Sequence, residues 1–163
     1  MTGVTLVSTF HTDDTPWGVT ANSFTSVSLD PAIILVCICK HGRAHHAFAQ
    51  SDRFVVIILA ADQRDMVNFI GSQQENRFKT VGWRRSANGA PLIHETAAWL
   101  DRSFHNRTDA GRDEIFMGKV LGCDQYQKKH HLDLVWGSLL SLNPKCNCIM
   151  SDFSHCHFKK ATK

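Results

Sequence analysis

The chain has 163 residues, of which 43% are hydrophobic and 20% charged. This is the length of one domain with enough apolar content for a core, and it excludes an intrinsically disordered chain. A net charge of +3 without a dense Lys/Arg cluster points away from nucleic acid, and no apolar run nears the roughly 18 residues of a membrane span.

Val4–Phe10 is β-branched and apolar and predicts a strand, broken by the turn residues Asp13-Asp14-Thr15-Pro16. Val19–Leu29 alternates loosely, is rich in Ser and Thr, and stops at Asp30-Pro31, because the residue before proline is pushed out of helical geometry. Ile33–Cys39 and Phe54–Leu59 are continuous apolar runs of buried-strand length. A short helix is predicted over Ala44–Gln50. A second follows Asp62 as N-cap, with Met66, Phe69 and Ile70 at helical spacing and Gly71 at its end. Gly82–Gly89 is polar and turn-like, and Ala97–Phe104, Glu114–Gly122 and Leu132–Leu142 predict three more strands. Many strands, few helices and no βα alternation predict a mainly β protein, a small closed barrel.

The segment from Pro144 onward changes character: Cys146-Asn147-Cys148, then His155-Cys156-His157, then Lys159-Lys160. Thiolates and imidazoles suit zinc, but these spacings match no paired-ligand pattern, so 144–163 reads as a tail outside a 1–143 domain and no metal is assigned. A chain ending at Asn143 is expected to fold. Six cysteines occur. Cys37 and Cys39, at i and i+2, share one strand face, and with no export signal at the start they read as reduced cytoplasmic thiols. Asn106-Arg107-Thr108 fits a glycosylation pattern and reads as a chance match in that setting.

The most informative stretch is Gly18–Pro31. Its small hydroxyls and one amide offer hydrogen bonds and leave room beside the backbone for a flat heteroaromatic ring with polar edges. A solvent-facing Ser/Thr-rich edge strand has the same composition. Thr20–Pro31 (TANSFTSVSLDP) resembles the signature of the flavin reductase family, the split-barrel reductase components of two-component flavin monooxygenases. Further matches follow in order: Thr2–Thr9, Ile33–Lys40, Arg53–Ile70, Asn88–Leu92, Ala98–His105 and Ile115–Leu121. The resemblance covers about residues 2–142.

The resemblance implies a six-stranded antiparallel split β-barrel with short helices, working as a homodimer. It implies FMN or FAD as the bound flavin, NADH or NADPH as the hydride donor, and a partner monooxygenase that takes the reduced flavin. By position it places Thr20, Ala21, Asn22 and Ser23 along the isoalloxazine and Ser28, Leu29 and Asp30 at its pyrimidine edge. Lys40, the segment near Arg43, Arg53 and Phe54 fall towards the phosphate.

Departures are equally specific. The family's Gly-Asp-His before its Ile-Phe strand is replaced by Gly111-Arg112-Asp113-Glu114. Arg112 and Asp113 therefore stand as the candidate catalytic pair, and the nicotinamide-side His is missing. Ile57 stands where the family commonly has Asn, Gly137-Ser138 shortens an Arg-Gly element, and the family's helix before the first strand has no counterpart. Two other readings follow from these departures. One is a flavin-binding relative that has lost reductase activity and serves another biosynthetic step. The other is a flavin carrier or dimerisation module.

Overall fold

The structure, a computed structural model, describes residues 2–71, 77–125, 132–135 and 138–141. In chain order the strands are β1 (Thr2–Gly3), β2 (Thr5–Phe10), β3 (Pro16–Ala21), β4 (Thr25–Leu29) and β5 (Ala32–Cys39). Helix α1 (His45–Gln50), β6 (Arg53–Ile58), helix α2 (Arg64–Gly71), β7 (Trp83–Arg85) and β8 (Pro91–Ile93) follow. β9 (Ala98–Ala110), β10 (Asp113–Gln125), β11 (Leu132–Val135) and β12 (Ser138–Ser141) complete the set.

The main sheet has seven strands, in the order β3-β2-β6-β9-β10-β5-β4, and every pairing in it is antiparallel. The expected six strands are thus seven, and the sheet does not close: β3 and β4 are its two edges. The single stretch expected over Val19–Leu29 is split between them. Its corner crosses from one edge to the other, and Ser23 seats it. The Ser23 hydroxyl accepts from Cys37 N–H at 2.9 Å and lies 3.2 Å from Cys37 C=O, its own acceptor. Smaller sheets, β1-β11-β12 and β7-β8, flank the main one. β7 lies within the segment expected to be a turn; Trp83↔Ile93 and Arg85↔Pro91 set its register.

Both faces of the sheet are packed, which explains the continuous apolar run of β6. Phe54, Val56 and Ile58 join the inner core with Val7, Ile34, Val36, Leu100, Phe116 and Val120. Val55 and Ile57 join an outer core with Leu6, Ile70, Phe78, Leu92 and Ile93. β5 differs from expectation because it is buried on one face only. Ala32, Ile34, Val36 and Ile38 point inward, while Ile33, Leu35, Cys37 and Cys39 are half-exposed.

α1 plugs one end of the curled sheet with Phe48, fully buried against Phe54 and Phe116 at ring separations of 6.3 and 6.1 Å. The second helix begins with a 3₁₀ turn over Ala61–Gln63 rather than at an Asp62 cap, and the Gln63 side chain accepts from Ala60 N–H at 3.0 Å. β9 and β10 form one long hairpin. Its turn needs Gly111 at φ +69°, a left-handed conformation glycine adopts at little cost, and Gly111 N–H donates to Asp109 Oδ1 at 2.9 Å. Among the described residues no helix is long and apolar enough to cross a membrane. The proposed tail, with its Cys/His set, lies outside the described residues.

Candidate flavin and nicotinamide site

The register brings part of the expected set to one place. Asp113 opens β10 directly opposite Cys39, the last residue of β5. Lys40 follows, its N–H donating to Arg112 C=O at 3.1 Å. The Ala21–Ser23 corner reaches the same end of β5 through the Ser23–Cys37 bonds. Thr20 and Ala21 are half-buried and Asn22 is exposed. Thr5 Oγ1 donates to Ala21 C=O at 2.8 Å and fixes the end of β3. Because β3 is an edge strand, its backbone groups pointing away from β2 are open to a ligand.

Other expected residues lie elsewhere. Leu29 pairs with Ala32 at the opposite end of β5. Seven residues at about 3.3 Å each separate Ala32 from Cys39 by about 23 Å, so one ring cannot meet both Ser28–Asp30 and Asp113 within a single chain. Phe54 is fully buried in the core, which makes it a packing group rather than a phosphate contact. Arg53 is on the far side of the sheet from β5, separated from it by β9 and β10. Its guanidinium donates to Asp52 Oδ1 at 2.9 Å and Asn88 C=O at 3.2 Å. It lines a cavity of about 200 Å³ with His11, Asp14, Asp52 and Arg85. Lys40 is also committed: its ammonium donates to Asp109 and, at 2.8 Å, to Gly111 C=O. That hydrogen bond, with the Gly111 N–H, holds the Asp109 carboxyl below its ordinary value.

A cationic group against the edge strand β3 is one that the sequence reading did not single out. Arg77 lies in a 3₁₀ turn after α2, and its guanidinium carbon sits 5.9 Å from the Trp17 ring centroid on edge strand β3. Phe78 beside it packs under Gly18, where a Cβ would come within 2.9 Å of the Phe78 ring. Partial burial, and then the charge of neighbouring Arg43, hold the Arg77 guanidinium below its ordinary value. The Arg77 guanidinium thus stands by an aromatic ring on the edge strand, near enough to Arg43 to feel its charge. Arg43 was legible as a candidate; Arg77 and Trp17 were not, because a lone Arg-Phe and a lone Trp carry no spacing signal.

His45 Nε2 meets Glu114 Oε2 at 2.6 Å and ties α1 to β10 beside Asp113. Glu114 follows Asp113 and belongs to the opposite face of β10, so this pair braces the site from the core side.

The flavin reductase like domain model matches residues 1–138 of this chain. The chain belongs to the flavin reductase like family. Within that family it is 45% identical over 120 residues to the reductase component of the flavin-dependent trigonelline monooxygenase of Acinetobacter baylyi. That match covers 74% of this chain and 39% of the relative, so the chain spans about two-fifths of that reductase's length. The nitrilotriacetate monooxygenase component B homologue of Mycobacterium thermoresistibile superposes with a TM-score of 0.83 at 32% identity, over 90% of this chain and 83% of that one. The Streptomyces globisporus NADH:FAD oxidoreductase SgcE6, in complex with NAD and FAD fragments, gives 0.82 at 31% identity, over 90% and 88%.

Proposed function

We propose that this chain is an NAD(P)H-dependent flavin reductase that supplies reduced FMN or FAD to a partner monooxygenase. The observation that carries the reading is the meeting of the Thr20–Ser23 corner and Asp113 at one end of β5, in a member of this family whose edge strand β3 also carries Trp17 with Arg77 over it. The donor set fits a flavin: an exposed amide and open strand edge for a ring with polar edges, and two guanidiniums for a phosphate. Once bound, a flavin supplies the hydride-accepting chemistry.

The chain's own residues then do the orienting. Asn22 and the β3 edge hold the ring edge, and Arg43 with Arg77 fixes the phosphate end. Asp113, half-buried where the family has His, sets the approach of the nicotinamide. Its negative charge repels the dinucleotide's phosphates, and the adjacent Arg112 offsets part of that. Replacing Asn22 by Leu is expected to weaken FMN binding by about 1–3 kcal/mol, since a polar ring atom loses its partner. Unchanged affinity in a fluorescence titration would place the ring elsewhere.

The double change Arg112→Asp with Asp113→His restores the family's motif. It is expected to raise NADH turnover several-fold, because misplacing the hydride donor by about 1 Å costs as much as 10²-fold. Equal, fast turnover in both proteins would show that the His is dispensable here. The reading also includes a homodimer in the cytoplasm. Val27, Leu29 and Leu121 are 49%, 51% and 47% exposed and one face of β5 is half-exposed, and apolar side chains open in this way suit cover by a second subunit. Light scattering is expected to give twice the chain mass; a monodisperse monomer at micromolar concentration would contradict this.

A further inference from the structure

Two histidines meet beside the cavity that Arg53 and Arg85 line. His11 follows β2 and His46 lies on α1, 35 positions further along the chain, yet His11 Nε2 is 3.0 Å from His46 Nδ1. Their rings are stacked with centroids 5.1 Å apart. Both sit on fixed supports. The turn after β2 is closed by His11 N–H donating to Thr15 C=O at 2.9 Å and Asp14 N–H donating to His11 C=O at 3.0 Å. α1 is anchored by the buried Phe48 and by the His45–Glu114 bond.

The outer ring nitrogens already have partners. His11 Nδ1 lies 3.2 Å from Asp13 Oδ1 and 3.2 Å from Thr12 Oγ1, and Thr15 N–H sets the same Asp13 oxygen at 3.0 Å. An ionised carboxylate only accepts, so Asp13 keeps the proton of a neutral His11 on Nδ1 and leaves the lone pair on Nε2. His46 Nε2 lies 3.0 Å from the Gln50 amide, which can present its nitrogen or its oxygen. With the oxygen turned to His46 Nε2–H, the His46 lone pair is on Nδ1. Two lone pairs then face each other at 3.0 Å, and a cation between them relieves the repulsion.

The spacing suits a metal ion. Two imidazole nitrogens bound to one tetrahedral Zn²⁺ stand about 3.3 Å apart, and His46 is exposed and has room to adjust. A carboxylate on the far nitrogen is the usual outer partner of a metal-bound histidine. Among the described residues no cluster of three or more His, Cys, Asp or Glu forms a closed site, so the remaining coordination positions fall to water. His11 and Gln50 line the cavity of about 200 Å³, which gives that water space. The cations of the cavity are balanced, Arg85 by Asp14 and Arg53 by Asp52.

We propose that His11 and His46 form an open, two-histidine site for Zn²⁺ or another divalent ion that favours imidazole, tying the turn after β2 to α1. The site does not depend on the flavin reductase reading.

The test treats the full chain, freed of metal by a chelator, with diethyl pyrocarbonate in the presence and absence of micromolar Zn²⁺, and reads each modified histidine by mass spectrometry. Zn²⁺ is expected to slow modification of both His11 and His46 about tenfold and to leave the exposed His41, His94 and His105 unchanged. Asp13→Asn, which keeps both ligands, is expected to raise the Zn²⁺ concentration for half-protection about tenfold. His46→Gln is expected to abolish protection of His11. Protection of neither histidine, or of one alone, would overturn the proposal, and that comparison needs no variant. So would full protection of His11 in a folded His46→Gln protein. Protection confined to His155 and His157 would also overturn it, by sending the ion to the C-terminal Cys/His segment.

Discussion

Replacing Phe54 by Ala is expected to lower the free energy of unfolding by about 3–5 kcal/mol, the range for removing a fully buried Phe from a core. Phe54 is 0% exposed and stands where several elements meet. Its ring lies 6.3 Å from that of Phe48 on α1 and 5.2 Å from that of Phe104 on β9, with the Arg102 guanidinium over one face. Deleting the ring leaves α1 without its main contact on β6 and exposes a buried cation to a void, so the site cannot relax cheaply. Urea unfolding followed by circular dichroism measures the loss. A change below about 1 kcal/mol would mean that the residue is not a keystone of this core.

Removing both guanidiniums of the proposed phosphate end, by Arg43→Ala with Arg77→Ala, is expected to weaken FMN binding by about 10–100-fold, because under the proposed reading each would make a charge-assisted contact to the phosphate. Riboflavin, which has the same ring and no phosphate, should bind the double variant nearly as well as the unmodified chain. The contrast between the two ligands separates a phosphate contact from general damage to the fold. Equal losses for both would contradict the placement of the phosphate, and no loss for either would remove the pair from the site.

Much of this arrangement is legible in the sequence because its strands are strongly patterned. Ile33–Cys39 and Phe54–Leu59 could scarcely be anything else, and Asp30-Pro31 marks a corner that few residue types tolerate. What could not be read is how strands pair over long range. The Ser/Thr-rich run from Val19 to Leu29 has one continuous pattern, yet its two halves lie on opposite edges of the sheet. The hydrogen bonds from Ser23 to Cys37, which make that crossing, join residues 14 positions apart. The same limit governs the site. Resemblance grouped Thr20–Ser23, Lys40 and Asp113, and the register brings these residues to one end of β5. The resemblance grouped Phe54 and Ser28–Asp30 with them too because neighbouring motif positions give no burial or distance. For Phe54 two readings competed: the resemblance set it towards the phosphate, whereas its place at the head of the apolar run Phe54–Leu59 predicts burial, and the packing against Phe48 of α1 follows the second. Arg102 was missed because arginine is rarely fully buried, and nothing local announces that Gly118, 16 residues on, opens the space for it.

The central claim, that these residues assemble a flavin reductase, is tested most directly by steady-state oxidation of NADH and NADPH by the full chain, with FMN, FAD and riboflavin each supplied in turn. The account predicts oxidation that depends on added flavin, favours a phosphorylated flavin over riboflavin, and falls when Arg43 and Arg77 are both replaced. A chain that binds FMN yet oxidises neither nicotinamide with any flavin would contradict it.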